Sequence, residues 1–374
     1  MEIKRIVNIK DKGVLPLQEF TKITAMKNKT RVLVIGSGVA GLGTAAWLKE
    51  GGVDFMVVEG ASELPLNLHN GVHYLHSIPD LPFNTDLKII TLTDGILVDG
   101  NITHTPNLKY SLQYSEKVRE IQHPSSIMDI GKDTYVYMPK SNTVNTVLQD
   151  CYKFAGSEHF HFGYWLKSIL TERKIAEFEK DGKVHAVKYE HIISAVPLDK
   201  FINMIPSWTL ESNHWLNNLK LEFTPLHITN YKLEKIVPNW MINLYIPDPS
   251  SPVYRASMLN GVCSVESMRE LNQEEIYFTR RTLGMFHLTD EEPERFIWKT
   301  GKVISISIDD RIKLIEELHK LDIYQIGRFG LWNRKLLMDS TISQAKAVVD
   351  YIIGQRGVEP IYNWDYLKNK LSKI

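Results

Sequence analysis

Apolar residues along the chain fall into short unbroken runs, alternating stretches and helical stripes. An irregular, polar opening over residues 1–30 is broken by Gly13 and Pro16 and reads as a surface extension. Val32-Leu33-Val34-Ile35 then forms a continuous apolar run, the signature of a strand buried on both faces. A glycine-rich turn follows, then helical spacing over 40–50 and a second buried run, Phe55-Met56-Val57-Val58. Together they predict a βαβ unit, within about the thirty residues that such a unit needs. Residues 80–130 mix short alternating segments with turn residues. Tyr135–Pro139 predicts a strand, 144–154 a helix, and the run from His191 to Val196, closed by Pro197, another buried strand. Residues 200–300 read as strands of an antiparallel sheet, punctuated by Pro247 and Pro249-Ser250-Ser251-Pro252. Helix returns over 311–320, strand over 323–326 and helix over 342–353. The predicted class is α/β. A Rossmann-like nucleotide-binding domain is assembled from 31–80, 131–200 and 302–374, and an inserted antiparallel-sheet α+β substrate domain from 81–130 and 201–301.

Composition narrows the class. The 374 residues hold 44 Lys+Arg against 44 Asp+Glu, so no bulk field attracts nucleic acid, although a local basic groove stays open. No apolar run reaches the roughly 18 residues of a membrane span, and the first residues lack a secretory h-region. Two cysteines, Cys151 and Cys263, make neither a disulfide framework nor a metal spacing. These features predict a cytoplasmic, reduced protein without a metal, and leave the oligomeric state open.

The turn between the first strand and helix is Gly36-Ser37-Gly38-Val39-Ala40-Gly41, a G-x-G-x-x-G. Gly36 permits the tight turn, Gly38 lets a pyrophosphate approach the backbone, and Gly41 lets the helix pack on the sheet. The helix N-terminus offers N–H groups and a partial positive charge to phosphates. Glu59 closes the second strand, where a carboxylate accepts ribose hydroxyls and disfavours a 2′-phosphate. NAD or FAD therefore ranks above NADP.

The segment from Gly36 to Leu48 resembles the FAD-binding turn of the amine oxidase and protoporphyrinogen oxidase superfamily, whose wider group includes UDP-galactopyranose mutases. Further segments are similar to that group's landmarks in the expected order. Gly71-Val72-His73-Tyr74-Leu75-His76-Ser77 resembles a stretch near the isoalloxazine, and Tyr137-Met138-Pro139-Lys140 the opening of the second FAD-domain portion. The segment 189–198, with Pro197, resembles a crossing close to the cofactor. Gly327-Arg328-Phe329-Gly330-Leu331-Trp332 with Met338-Asp339-Ser340-Thr341-Ile342 resembles the C-terminal flavin motif. The resemblance implies FAD as cofactor, held by Gly36, Ser37, Gly38, Val39, Ala40, Gly41, Glu59, His73, His76, Pro197, Gly327, Arg328, Met338, Asp339 and Ser340. The backbone at the last helix's start would face the flavin, with Asp339 or Ser340 an ordinary N-cap as the alternative. Two departures stand out. The first is that Glu59 is not followed by the group's Gly-Gly pair, so the loop there must run differently.

The second departure concerns the reacting end. Ser251-Pro252-Val253-Tyr254-Arg255 resembles the element that brings an arginine to the substrate diphosphate in mutases, but the residues that follow differ. Arg255 is thus read equally as a substrate clamp or as a salt-bridged arginine. His73, as a catalytic or flavin-bonding group, and His76 are weighed against satisfied polar residues at a domain interface. His159-Phe160-His161 reads as a solvated strand face rather than a metal pair. Trp332, Tyr254 and Tyr324 read as core aromatics or as a flavin border. The resemblance implies an FAD-dependent oxidoreductase whose flavin N5 accepts a hydride from a small organic substrate, with a nucleotide-linked one left open. The alternatives are a redox-neutral isomerase or lyase using reduced N5 as nucleophile, and a non-catalytic flavin-binding interaction protein.

Overall fold

The computed structural model describes residues 26–66, 71–119, 126–205 and 219–354. The chain opens with β1 (Val32–Ile35), α1 (Val39–Glu50) and β2 (Phe55–Glu59), then β3 (Leu87–Val98), β4 (Asn101–Thr103), α2 (Leu108–Lys117) and β5 (Tyr135–Pro139). Next come α3 (Asn145–Ala155), β6 (Phe160–Phe162), β7 (Trp165–Leu170), β8 (Ile175–Lys180), β9 (Lys183–Lys188), β10 (His191–Ser194) and α4 (Leu198–Phe201). The remainder is β11 (Phe223–Lys232), β12 (Trp240–Tyr245), β13 (Val253–Leu259), β14 (Val262–Ser267), α5 (Gln273–Thr282), β15 (Glu294–Val303), α6 (Ile308–His319), β16 (Ile323–Gln325), α7 (Gly327–Gly330) and α8 (Met338–Ile352).

Among the described residues the strands form three sheets. The first is wholly parallel, in the order β16-β10-β1-β2-β6. Every residue of β1 is buried, as its unbroken apolar run requires. One face of this sheet carries α1, α3 and α8. Because α1 is wedged between sheet and helices it is apolar nearly all round, and Gly43 gives the close approach: a Cβ there would lie 3.3 Å from Ile342 Cγ1. The other face is covered by the small antiparallel sheet β7-β8-β9, with α6 and Trp332.

The larger sheet runs β15-β11-β14-β13-β12-β3-β4, with β5 also pairing β3. It is antiparallel except where β12 meets β3 in parallel. One of its faces is closed by Ile276 of α5 and by Leu283 just after that helix. The other packs Leu92, Met241 and Leu259 toward the helical layer, against Val72, Tyr74, Val144 and Met338. Tyr135–Pro139, grouped with the nucleotide-binding segments in the sequence reading, hydrogen bonds to β3 of this larger sheet instead. Its alternation fits an edge position, with Tyr135 exposed and Val136 buried. Of the opening extension, residues 1–25 lie outside the described residues, and Thr30 already joins the fold through its N–H to Lys188 O at 3.0 Å.

Candidate functional site

The loop after β1 turns at Gly36, whose φ of +96° and N–H bond to Val58 O (2.8 Å) fix the reversal. Gly38 precedes α1, which has no side-chain cap and no acid in its first turn. A Cβ on Gly38 would meet no atom within 4 Å, so the space ahead of the helix is open. On Gly41 it would lie 1.8 Å from Gly36 O, which restricts that position to glycine. Gly327, at φ +78°, closes the far side, where a Cβ would come within 3.1 Å of Ala40 Cβ. The free N–H groups and dipole of α1, Val39 and Ala40 among its first residues, thus point into open space, where an anion is stabilised. The place is also a topological switch point, since β2 and β10 flank β1 on opposite sides.

Glu59 stands beside this opening. Its Oε2 accepts the Ser37 N–H at 2.7 Å and the Ser37 hydroxyl at 3.0 Å, and its Oε1 accepts the Ala61 N–H at 2.9 Å. The carboxylate therefore ties the turn after β1 to the loop after β2. Oε1 keeps a lone pair for a further donor, as a ribose hydroxyl would be. Open phosphate space, an uncapped helix and an acid at the ribose position fit a dinucleotide with an unphosphorylated ribose.

The C-terminal residues divide their work. Arg328 Nε donates to Leu336 O at 2.9 Å and braces its own loop. Asp339 is buried at the start of α8, where it accepts the Ser77 hydroxyl at 2.5 Å. Ser340 is exposed, and its Oγ accepts the Leu337 N–H at 2.8 Å. Met338 packs between the helical layer and the larger sheet. Pro197 opens α4 just past Ala195, on which Gly36 rests.

The Gly71–Ser77 segment, numbered 71–77, hangs between the layers, bridged to β5 by Leu75 N–H to Tyr137 O (3.0 Å) and Tyr137 N–H to Leu75 O (2.8 Å). His73 and His76 face different surroundings. His73 borders a cavity of about 530 Å³ with Gly71, Met138, Asn230, Leu259 and Val262. His76 turns to Asp133, with Nδ1 3.5 Å from the carboxylate, and to the Tyr74 ring.

Across the inward face of the larger sheet, Asp94, Asn243, Ser257, Ser264 and Asn230 stand opposite one another on five adjacent strands. Ser257 donates to Asn243 Oδ1 at 2.5 Å, and Asn243 Nδ2 to the Tyr74 hydroxyl at 3.4 Å. Burial pushes the Asp94 carboxyl up to about 6, against the Asn243 hydrogen bond and with Asp133 adding to the rise. Beside this row lies a buried ion cluster. Arg255 pairs with Glu266, which also takes Lys302 Nζ at 2.8 Å, and Lys302 lies 4.0 Å from the Tyr254 ring centroid. Burial alone would raise the Glu266 carboxyl, but the two cations hold it well below the usual carboxylate range. Burial pushes Lys302 down to about 7, only partly opposed by Glu266.

The reading of Arg255 as salt-bridged is therefore the one met: its guanidinium is engaged by Glu266. Sequence reasoning missed Glu266, although the signal was present. Asn260-Gly261 is the favoured two-residue hairpin turn, with both residues at positive φ, and it sets Arg255 opposite Glu266. The solvated face expected for 159–161 is corrected. His161 is buried, and His159 stacks on Phe55 at 4.2 Å with Nδ1 3.1 Å from Phe55 O, because β6 pairs with β2 at the edge of the parallel sheet. Trp332, Tyr254 and Tyr324 are core residues, each 1% exposed. Among the described residues no group of three or more His, Cys, Asp or Glu is placed to hold a metal, and no helix is long and apolar enough to cross a membrane.

No family model and no curated protein matches the chain. Solved structures do. Reduced UDP-galactopyranose mutase is similar over 89% of this chain and 97% of its own, with a TM-score of 0.66 at 17% identity. A fatty acid isomerase from P. acnes that produces CLA aligns over 87% and 99%, at TM-score 0.59 and 12% identity. A putative protoporphyrinogen oxidase from Exiguobacterium sp. 255-15 aligns over 89% and 100%, at TM-score 0.59 and 10% identity. The chain has the fold of the FAD-binding flavoproteins. The flavoprotein resemblance read from the motifs is thus borne out as a likeness of fold, and it spans nearly the whole of each neighbour.

Proposed function

We propose that the chain is an FAD-dependent oxidoreductase acting on a small organic substrate held between the start of α8 and the polar face of the larger sheet. The observation that carries this reading is the bare N-terminus of α1, opening on empty space at Gly38 beside Glu59. In this reading the backbone over 38–41 holds the diphosphate and Glu59 the ribose. Gly327 and Arg328 shape the loop at the far side, and the 71–77 segment carries His73 and Tyr74 to the reacting end. The cofactor supplies two-electron chemistry at the flavin N5 when bound. The chain's part is to orient the substrate along Asp94, Asn243 and Ser257 and to exclude water with the apolar residues around them.

A redox-neutral use of reduced flavin is the second reading, favoured by the likeness to the mutase fold. Arg255 weighs against its diphosphate-sugar form, because Glu266 already neutralises it. Gently purified protein should be yellow. Anaerobic bleaching by one member of a metabolite panel supports the oxidoreductase, whereas turnover only after dithionite reduction supports the second reading. Protein that takes up no flavin on reconstitution overturns both.

A further inference from the structure

Trp165, the first residue of β7, is 65% exposed, yet its ring is held in place. A Cβ built on Gly60 would lie 2.9, 3.0 and 3.1 Å from Trp165 Cε3, Cδ2 and Cζ3. Near-equal distances to three adjacent ring atoms put the face of the indole, rather than its edge, on the Gly60 backbone. Gly60 directly follows Glu59. The same two stretches are joined by Tyr164 N–H to Glu59 O at 3.0 Å and Gly163 N–H to Ala61 O at 2.7 Å. A flat aromatic is thus fixed next to the acid at the ribose end of the cradle, with the rest of its surface open. Its surroundings do not make a protein-docking patch. The cross-strand neighbour is Glu179, in an ion pair with Lys167 at 2.8 Å. One exposed ring among charges fits one planar group.

We propose that Trp165 is the stacking platform for the adenine of the dinucleotide, and that Gly60 is glycine so that the indole can lie against the backbone there. The inference rests on the dinucleotide reading of the cradle and deepens it. It gives the loop after Glu59 a purpose of its own: where a Gly-Gly pair was expected, a single glycine seats an aromatic ring. Stacking is sequence-tolerant and needs only a π face, so the platform favours adenine-bearing flavin over flavin mononucleotide.

The test titrates flavin-stripped protein with FAD and, separately, with ADP. Trp165→Ala should weaken FAD binding by about ten- to a hundred-fold, the range that base–aromatic stacking gives, and Trp165→Phe by less. Gly60→Ala should weaken binding in the wild-type background and have no further effect in Trp165→Ala, since the ring that it displaces is gone. ADP should quench the emission that wild type shows beyond Trp165→Phe. Equal FAD affinity for wild type and Trp165→Ala overturns the platform while leaving the cradle standing. A wild type that takes up neither FAD nor ADP overturns the cradle itself.

Discussion

The open end of the parallel sheet and the inward face of the larger sheet make two kinds of site from opposite materials. The first is built from backbone: glycines at 36, 38, 41 and 327, an uncapped helix and a single acid that fastens the loops. The second is built from side chains: a row of amides, hydroxyls and one carboxylate, next to an arginine and a lysine that both pair with one glutamate. A backbone site keeps its shape without the ligand and carries its polarity outward. A side-chain site of buried charges holds only while all its members are present. Damage to the first should therefore appear in binding, and damage to the second in folding.

The largest expected effect is at the ion cluster. Glu266→Ala strands Arg255 and Lys302 away from water and should cost about 3 kcal/mol or more, read as a lower urea midpoint. If the midpoint does not move, the cluster is no keystone. Gly38→Leu should do the reverse. Its backbone angles suit any residue and the space is empty, so thermal stability should be kept while flavin retention falls at least about a hundred-fold. Loss of both together would erase the distinction.

A third experiment sharpens the contrast through pH. Lys302 sits at about 7 in the folded chain against an ordinary 10.5, so between those values the unfolded chain holds a proton that the folded chain has released. Stability from this group therefore rises with pH across that window. The urea midpoint of wild type should climb from pH 7 toward 10 more steeply than that of Lys302→Met. Glu266 acts at the other end: its depressed carboxyl contributes stability that is lost as pH falls below the ordinary glutamate range. Least is expected of Asp339→Ala, which removes the bond to Ser77 and should lower stability by about 1–2 kcal/mol in a thermal scan.

The same division explains what the sequence disclosed. The stretch from β1 through Glu59 is contiguous, and the turn at Gly36 and the close approaches at Gly41 and Gly43 answer local backbone demands, so strand, turn, helix and acid could be read in order. The polar row could not. Asp94 and Asn243 are brought together by a parallel pairing of strands far apart in the chain, and nothing local sets that register. Arg255 and Glu266 lie between these cases, since the Asn260-Gly261 turn sets the pairing but only if the hairpin is recognised first. His159 and His161 misled because alternation marks a strand without saying what covers its two sides. Here a short strand joins the rim of a parallel sheet, and neither histidine faces water in the way that the alternation implied.

The parallel junction of β3 with β12 also governs how the molecule can be divided. Its partners come from opposite halves of the chain, so excising 219–303 would strip β12 of β3, one of its two neighbours, and leave an unpaired row of amides and carbonyls ready to recruit another molecule. Attempts to produce the larger sheet alone should end in aggregates. A single protease nick in an exposed loop should instead leave two polypeptides that stay associated, since strands of each fragment remain interleaved in one sheet.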